Sequence, residues 1–270
     1  MPNLFKIDNV TIPQDGLSRG IMVVQGVSCH AVNVDGTEVW RKFDAEAGGV
    51  TVDYDDIAGE NPETVAGSSG NYTFTVPAGV LSVTISAHGA GGGAGGGASG
   101  DTNLDGNNPG EGGTGGHEGE SVYDVVVAVV PLETIALTIG RGGAGGPGGP
   151  GQDEYHNGAT GSNGSPGGTT AVADPTDTIV INATGATGGT GGPGGTAGDG
   201  SGEAYKGDAG DASDIASGGA GGASFDANGT AGGAAAGGGG GAGSNDDSGG
   251  HSNDGGDGGA GGTGRVTIYW

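Results

Sequence analysis

The chain has 270 residues, 72 of them glycine, with 32% apolar and 4% aromatic residues and a formal net charge of −25. Glycine buries no side chain and loses the most backbone entropy on folding, which rules out a conventional core over this length and with it an ordinary compact enzyme. So acidic a surface repels phosphate backbones and argues against nucleic acid as a partner.

The opening MPNLFKIDNV lacks the apolar core of a signal peptide, and no stretch approaches the roughly 20 apolar residues of a membrane span. The expectation is a protein made in the cytoplasm without a cleaved leader. Residues 1–43 balance four acids (Asp8, Asp15, Asp35, Glu38) against four bases (Lys6, Arg19, Arg41, Lys42). Within them HAVNVDGTEVWRKF sets Asp35-Gly36 between two β-favouring runs, the signal of a two-residue hairpin turn. Residues 1–43 are therefore predicted to form a small β module. Cys29 is the only cysteine, so no intrachain disulfide and no cysteine metal site is possible. Residues 44–70 carry seven acids (Asp44, Glu46, Asp53, Asp55, Asp56, Glu60, Glu63) with Gly and Pro and no clear period, and read as an acidic linker.

From residue 71 the pattern changes. Tyr72, Phe74 and Val76, then Val83, Ile85 and Ala87, alternate as two strands joined by a Pro-Ala-Gly turn. Further strands are predicted at 121–130, 134–140, 169–173, 178–183 and 264–270. Glycine tracts lie between them, and their period is three: 110, 113, 116, 119; 142, 145, 148, 151; 158, 161, 164, 167; 185, 188, 191, 194; and 255, 258, 261, 264. Three residues per turn is the period of the extended polyproline II helix, which makes no internal hydrogen bonds. A glycine every third residue gives that rod one bare edge, and a second glycine series gives it two. Bare edges let neighbouring rods bond backbone to backbone, replacing a side-chain core.

Collagen would require an uninterrupted, proline-rich triplet, and the repeated breaks argue against it. A disordered Gly-rich linker is the competing reading, opposed by the patterned strands between tracts. The fold class expected is mainly β with packed polyglycine II helices. A small N-terminal β module (1–43) and the linker (44–70) precede a glycine-rich β and polyglycine II sandwich over 71–270.

YTFTVPAGVLSVTISAHGAGGGAGGG, VPLETIALTIGRGGAGG and the terminal GGTGRVTIYW resemble the glycine-rich tip domains of tailed-bacteriophage fibres. Glycine-rich domains of animal receptors share the compositional part of that likeness. VNVDGTEVWRKF is similar, less closely, to short modules of phage tail proteins. The resemblance implies a virion structural protein, a tail-fibre tip adhesin in which polyglycine II rods carry distal loops that bind the host. Its implied partners are other tail or fibre proteins through residues 1–43 and a host surface glycan or outer-membrane protein. A homo-oligomer or a place in a larger assembly is expected with them. The long paired strands depart from the adhesin pattern and point to a mixed β and rod domain. A purely architectural virion role, as capsid decoration or fibre component, is the alternative.

No catalytic set stands out. The five histidines are scattered outside any motif, and no phosphate-binding G-x-x-x-x-G-K-[ST] occurs. Asp101-Thr102-Asn103-Leu104-Asp105-Gly106 matches the start of a calcium loop, but its twelfth position is Gly112. An acidic turn without metal is expected there, and no cofactor. GDAGDASDI (207–215) only partly matches calcium-binding nonapeptides; a secreted calcium-dependent repeat protein is the third class. The candidate receptor-binding residues are bulky groups stranded among glycines: Tyr155 and His156 in one tract, Tyr205 and Lys206 in another. In a rod lattice such groups are pushed to loops or outer faces, where aromatics either stack on a ligand or pack over a rod. Phe225 and His251 interrupt the last third, and Phe225 is read as packing.

Overall fold

The computed structural model describes residues 47–100, 110–151, 158–174, 180–185, 206–224, 227–242 and 253–270, with the backbone of six short strands between Leu4 and Arg41. Those six pair antiparallel two by two: β1 (Leu4–Ile7) with β2 (Val10–Pro13), β3 (Met22–Val24) with β4 (Val27–Cys29), and β5 (Ala31–Val34) with β6 (Thr37–Arg41). Val34 stands opposite Thr37, so the predicted hairpin is formed.

The linker expected over 44–70 is instead largely strand: β7 (Gly49–Asp53), β8 (Ile57–Gly59), a single 3-10 turn at Pro62–Thr64, and β9 (Val65–Ser68). Val50, Val52 and Val65 are buried. The acids on the outward side and in the turns masked a short alternation whose inward side is valine. At the β9 end, Ser69 and Gly70 both take positive φ (49° and 80°), as a two-residue hairpin turn requires, and they lead into β10 (Asn71–Thr75).

The remaining strands fall where the alternation predicts: β11 (Ser82–His88), β12 (Ser121–Ala128), β13 (Thr134–Thr138), β14 (Thr170–Ala173), β15 (Val180–Ala183) and β16 (Arg265–Tyr269). They build two five-stranded antiparallel sheets, ordered β15-β14-β13-β10-β9 and β12-β11-β16-β7-β8. The protein is thus mainly β. β10 and β11 do not form the expected hairpin; each belongs to a different sheet, and Val76 and Val80 are buried where the chain crosses between them. Tyr72, Phe74, Ile135, Leu137 and Val172 point inward from the first sheet, Val50, Val52, Val83, Ile85, Val266 and Ile268 from the second. Trp270 closes the core, its ring 5.5 Å from that of Phe74.

Five of these strands run directly into or out of the glycine tracts. β11 continues as 89–99, and 110–119 leads into β12. Likewise β13 continues as 140–151, 158–168 leads into β14, and 255–264 leads into β16. Past the sheets the backbone bonds repeat every three residues. Gly91, Ala94 and Gly97 donate to Gly262, Gly259 and Gly256. Gly92, Gly95 and Ala98 donate to His117, Thr114 and Glu111, and Gly93, Gly96 and Ser99 to Ser165, Ser162 and Ala159. One segment therefore donates to three neighbours on three sides, with a bonding repeat of three residues.

The 235–242 segment is bonded on all six sides. Its N–H groups reach 92 and 95, 208 and 211, and 227 and 230; its carbonyls accept from 113 and 116, from 219 and 222, and from 256, 259 and 262. Both central segments are fully buried and consist almost wholly of Gly and Ala, with Ser99 near the end of the first. Ala90, Ala94 and Ala98 are spaced by four, so each methyl lies on a different side of its segment. Peripheral segments keep glycine on the inner side: Gly110, Gly113, Gly116 and Gly119 are buried, while Glu111, Thr114 and His117 are exposed.

Candidate functional site

Chain direction gives this lattice two unlike ends. The 89–99 and 140–151 segments run away from the sandwich; 110–119, 158–168 and 255–264 return to it. At the far end described segments stop at Gly100, Gly151, Ser224 and Ala242 and begin at Gly110, Gly158, Lys206, Ala227 and Asn253. At the opposite pole the main-chain groups of Gly48 and Trp270 exchange two bonds of 3.1 Å.

At the far end Pro147, Gly148 and Pro150 of one segment face Asn253, Asp254, Gly255 and Asp257 of another, with Asn228 alongside, around a cavity of about 520 Å³. The period of three explains the pairing. Residues three apart lie on one side of a rod, so Pro147 and Pro150 line up, as do Asp254 and Asp257. The carboxylates are held in place: Asp257 accepts from the Gly148 N–H at 2.9 Å, and Asp254 from the Gly151 N–H at 2.6 Å. The Asn228 side-chain oxygen accepts from the Asp257 N–H at 2.8 Å. Fixed carboxylates and amides beside proline rings suit a ligand bearing hydroxyl groups on an apolar frame.

Tyr155, His156 and Tyr205 lie outside the described residues, as do Phe225, His251 and the calcium-like run Asp101–Gly106. Lys206 is described: it is half-buried at the far end, where a Cβ on Gly112 would run into its carbonyl. Among the described residues, no group of three or more His, Cys, Asp or Glu is placed to hold a metal ion. Asp254, Asp257 and Asn228 were not singled out from sequence. Their three-residue spacing was visible, but the segment facing them was not.

A second polar group sits where the β12–β11–β16–β7 sheet meets the lattice. Register places Ser121, His88, Arg265 and Asp53 in one row across four strands. The Arg265 guanidinium donates to both carboxylate oxygens of Asp53, at 2.7 and 2.9 Å. Buried His88 shares a hydrogen bond of 2.9 Å between its Nδ1 and the Ser121 hydroxyl. Tyr123 packs edge-on against the imidazole at 5.1 Å and donates to Asp214 at 2.7 Å. Burial, and next the Arg265 cation, hold the His88 pKa below its ordinary value. The row has the features of a structural tie between sheet and lattice: every group in it already has a partner.

Residues 66–270 match a family model described as a glycine-rich domain. No curated protein matches the chain.

Proposed function

The chain belongs to the glycine-rich domain family, and we propose that this member is a virion structural protein of a tailed bacteriophage, a tail-fibre tip adhesin. In this reading the lattice is a rigid stalk head. Residues 1–43 attach to other tail or fibre proteins, and the far end meets a host surface glycan or outer-membrane protein. The action is binding, with no chemistry on the ligand.

The observation that carries the reading is polarity. The chain enters the sandwich at Gly48, at one pole, and the outgoing and returning segments exchange at the other. In sequence Tyr155 and His156 fall between Gly151 and Gly158, and Tyr205 directly precedes Lys206. These bulky residues thus adjoin, along the chain, Gly151, Gly158 and Lys206, which are described at the end of the lattice that also holds Asp254 and Asp257. Connections carry little of the packing, so they are free to vary while the lattice stays fixed.

The test is saturable binding of the full chain to intact candidate host cells, beside a variant with 152–157 and 203–206 replaced by Gly-Ser. A fragment starting at residue 71 is unsuitable, because it would remove β7, β8 and β9 from both sheets. Binding lost with the replaced loops is the expected result. Equal absence of binding by both forms, on a host susceptible to the particle, would turn the reading to a purely architectural virion role.

A further inference from the structure

The two sheets differ in charge. β7, β11, β12 and β16 carry Asp53, His88, Asp124 and Arg265, whereas β9, β10, β13, β14 and β15 contain no Asp, Glu, Lys, Arg or His at all. The outward side of that second group is built of Thr, Ala, Ser, Asn and Val. Thr73 lies opposite Ala136, Thr75 opposite Thr134, and Ala136 opposite Ala173. The 140–151 and 158–168 segments continue the same side into the lattice with a single charged residue, Arg141, and with exposed Ala144, Pro147 and Ser165 between glycines. The solvent face of an antiparallel sheet ordinarily bears polar and charged groups. In a chain with a net charge of −25, the strands of this face carry polar groups but no charged one.

We infer that the outward face of the β15-β14-β13-β10-β9 sheet is the surface on which two copies of this chain meet. Self-repulsion opposes the approach of two such acidic molecules everywhere except where carboxylates are missing. A two-fold axis lying in the plane of the contact brings the two faces together and turns both acidic sides, with Glu111, Glu118, Asp208 and Asp211, away from it. The size is also right. Five strands spaced ~4.8 Å apart, extended by two rods rising ~3.1 Å per residue, present on the order of 700 Å² per copy. That is close to the roughly 800 Å² per partner of a standard interface. Small side chains on the outward face let the two copies approach closely, and an isologous contact needs only one such patch.

The experiment is the mass of the full chain by sedimentation equilibrium, up to concentrations on the order of 100 µM. The parent is expected at twice the chain mass of 25.2 kDa. Thr73→Glu with Ala136→Glu places two carboxylates on the contact, and the expected outcome is a halved mass with an unchanged circular dichroism spectrum and melting temperature. Thr114→Glu, on the other side of the molecule, leaves the dimer intact. If the double variant does not fold, Ala136→Cys in a Cys29→Ser background provides the second measurement: β13 is the middle strand, so oxidation cross-links the two copies. A parent that is monomeric throughout, a folded double variant that stays dimeric, or an Ala136→Cys chain that does not cross-link would each overturn the assignment.

Discussion

The sandwich and the lattice are two solutions to the same problem, built from the same backbone. β11 and β14 face each other across a filling of side chains, in sheets that stand about 10 Å apart. A few residues on, their continuations 89–99 and 158–168 are bonded directly, Gly93 to Ser165 and Gly96 to Ser162. Phe74 and Ile85 are fully buried, and so are Ala90 and Ala236. Both regions exclude water; one does so with apolar volume, the other by removing side chains until N–H meets C=O. The specifying information is therefore opposite in kind. In the sandwich a position is defined by what fills it, in the lattice by what is missing.

The largest effect should come from violating the lattice rule at its centre. A Cβ on Gly238 would meet the carbonyl oxygens of Gly259 and Ala260, which are backbone and held by their own bonds. Gly238→Val is expected to cost about 4 kcal/mol or more in denaturant unfolding. Thr114→Val, on an exposed side of a peripheral segment, should stay within about 0.5 kcal/mol of the parent. Equal stability of the two variants would end the distinction between inner and outer rods. In the sandwich the rule is reversed, and deletion does the damage: Phe74→Ala should cost about 3–4 kcal/mol through the cavity it leaves beside Trp270.

The smallest effect lies at the join between the regions. Folding lowers the His88 pKa from 6.5, so between its native value and 6.5 the unfolded chain binds more protons. Stability is then fully present above 6.5 and is lost as pH falls through that window. His88→Gln should flatten this part of the urea-midpoint profile measured between about pH 7 and pH 5. A slope identical in parent and variant would mean that His88 does not tie sheet to lattice.

Much of this division can be read from sequence. Tyr72, Phe74 and Val76, or Val266 and Ile268, declare strands by period two, and the glycine tracts declare segments whose backbone bonds repeat every three residues. The buried or peripheral rank of a rod is legible too: 235–242 has a small residue at every position, 110–119 at one or two in three. What stayed hidden was long-range pairing. β7 meets β16 more than 200 residues away, Thr51 facing Thr267, so nothing near Gly49–Asp53 marks it as part of a sheet. Pro77-Ala-Gly reads locally as a hairpin turn, and only the strand pairing shows the chain changing sheets. The groove at the far end was hidden for the same reason. Asp254 and Asp257 announce a shared side, but the rod holding Pro147 and Pro150 is chosen by packing.

The continuity of strand into rod has a mechanical consequence. Strands and rods lie along the line from the Gly48–Trp270 pole to the far end, and both are already close to full extension. Tension along that line has little slack to draw out and loads the cross-links between neighbours in shear, many at once. A sideways pull would unzip them one after another. The molecule is therefore built like a laminated spar, stiff along its length and weakest at its edges.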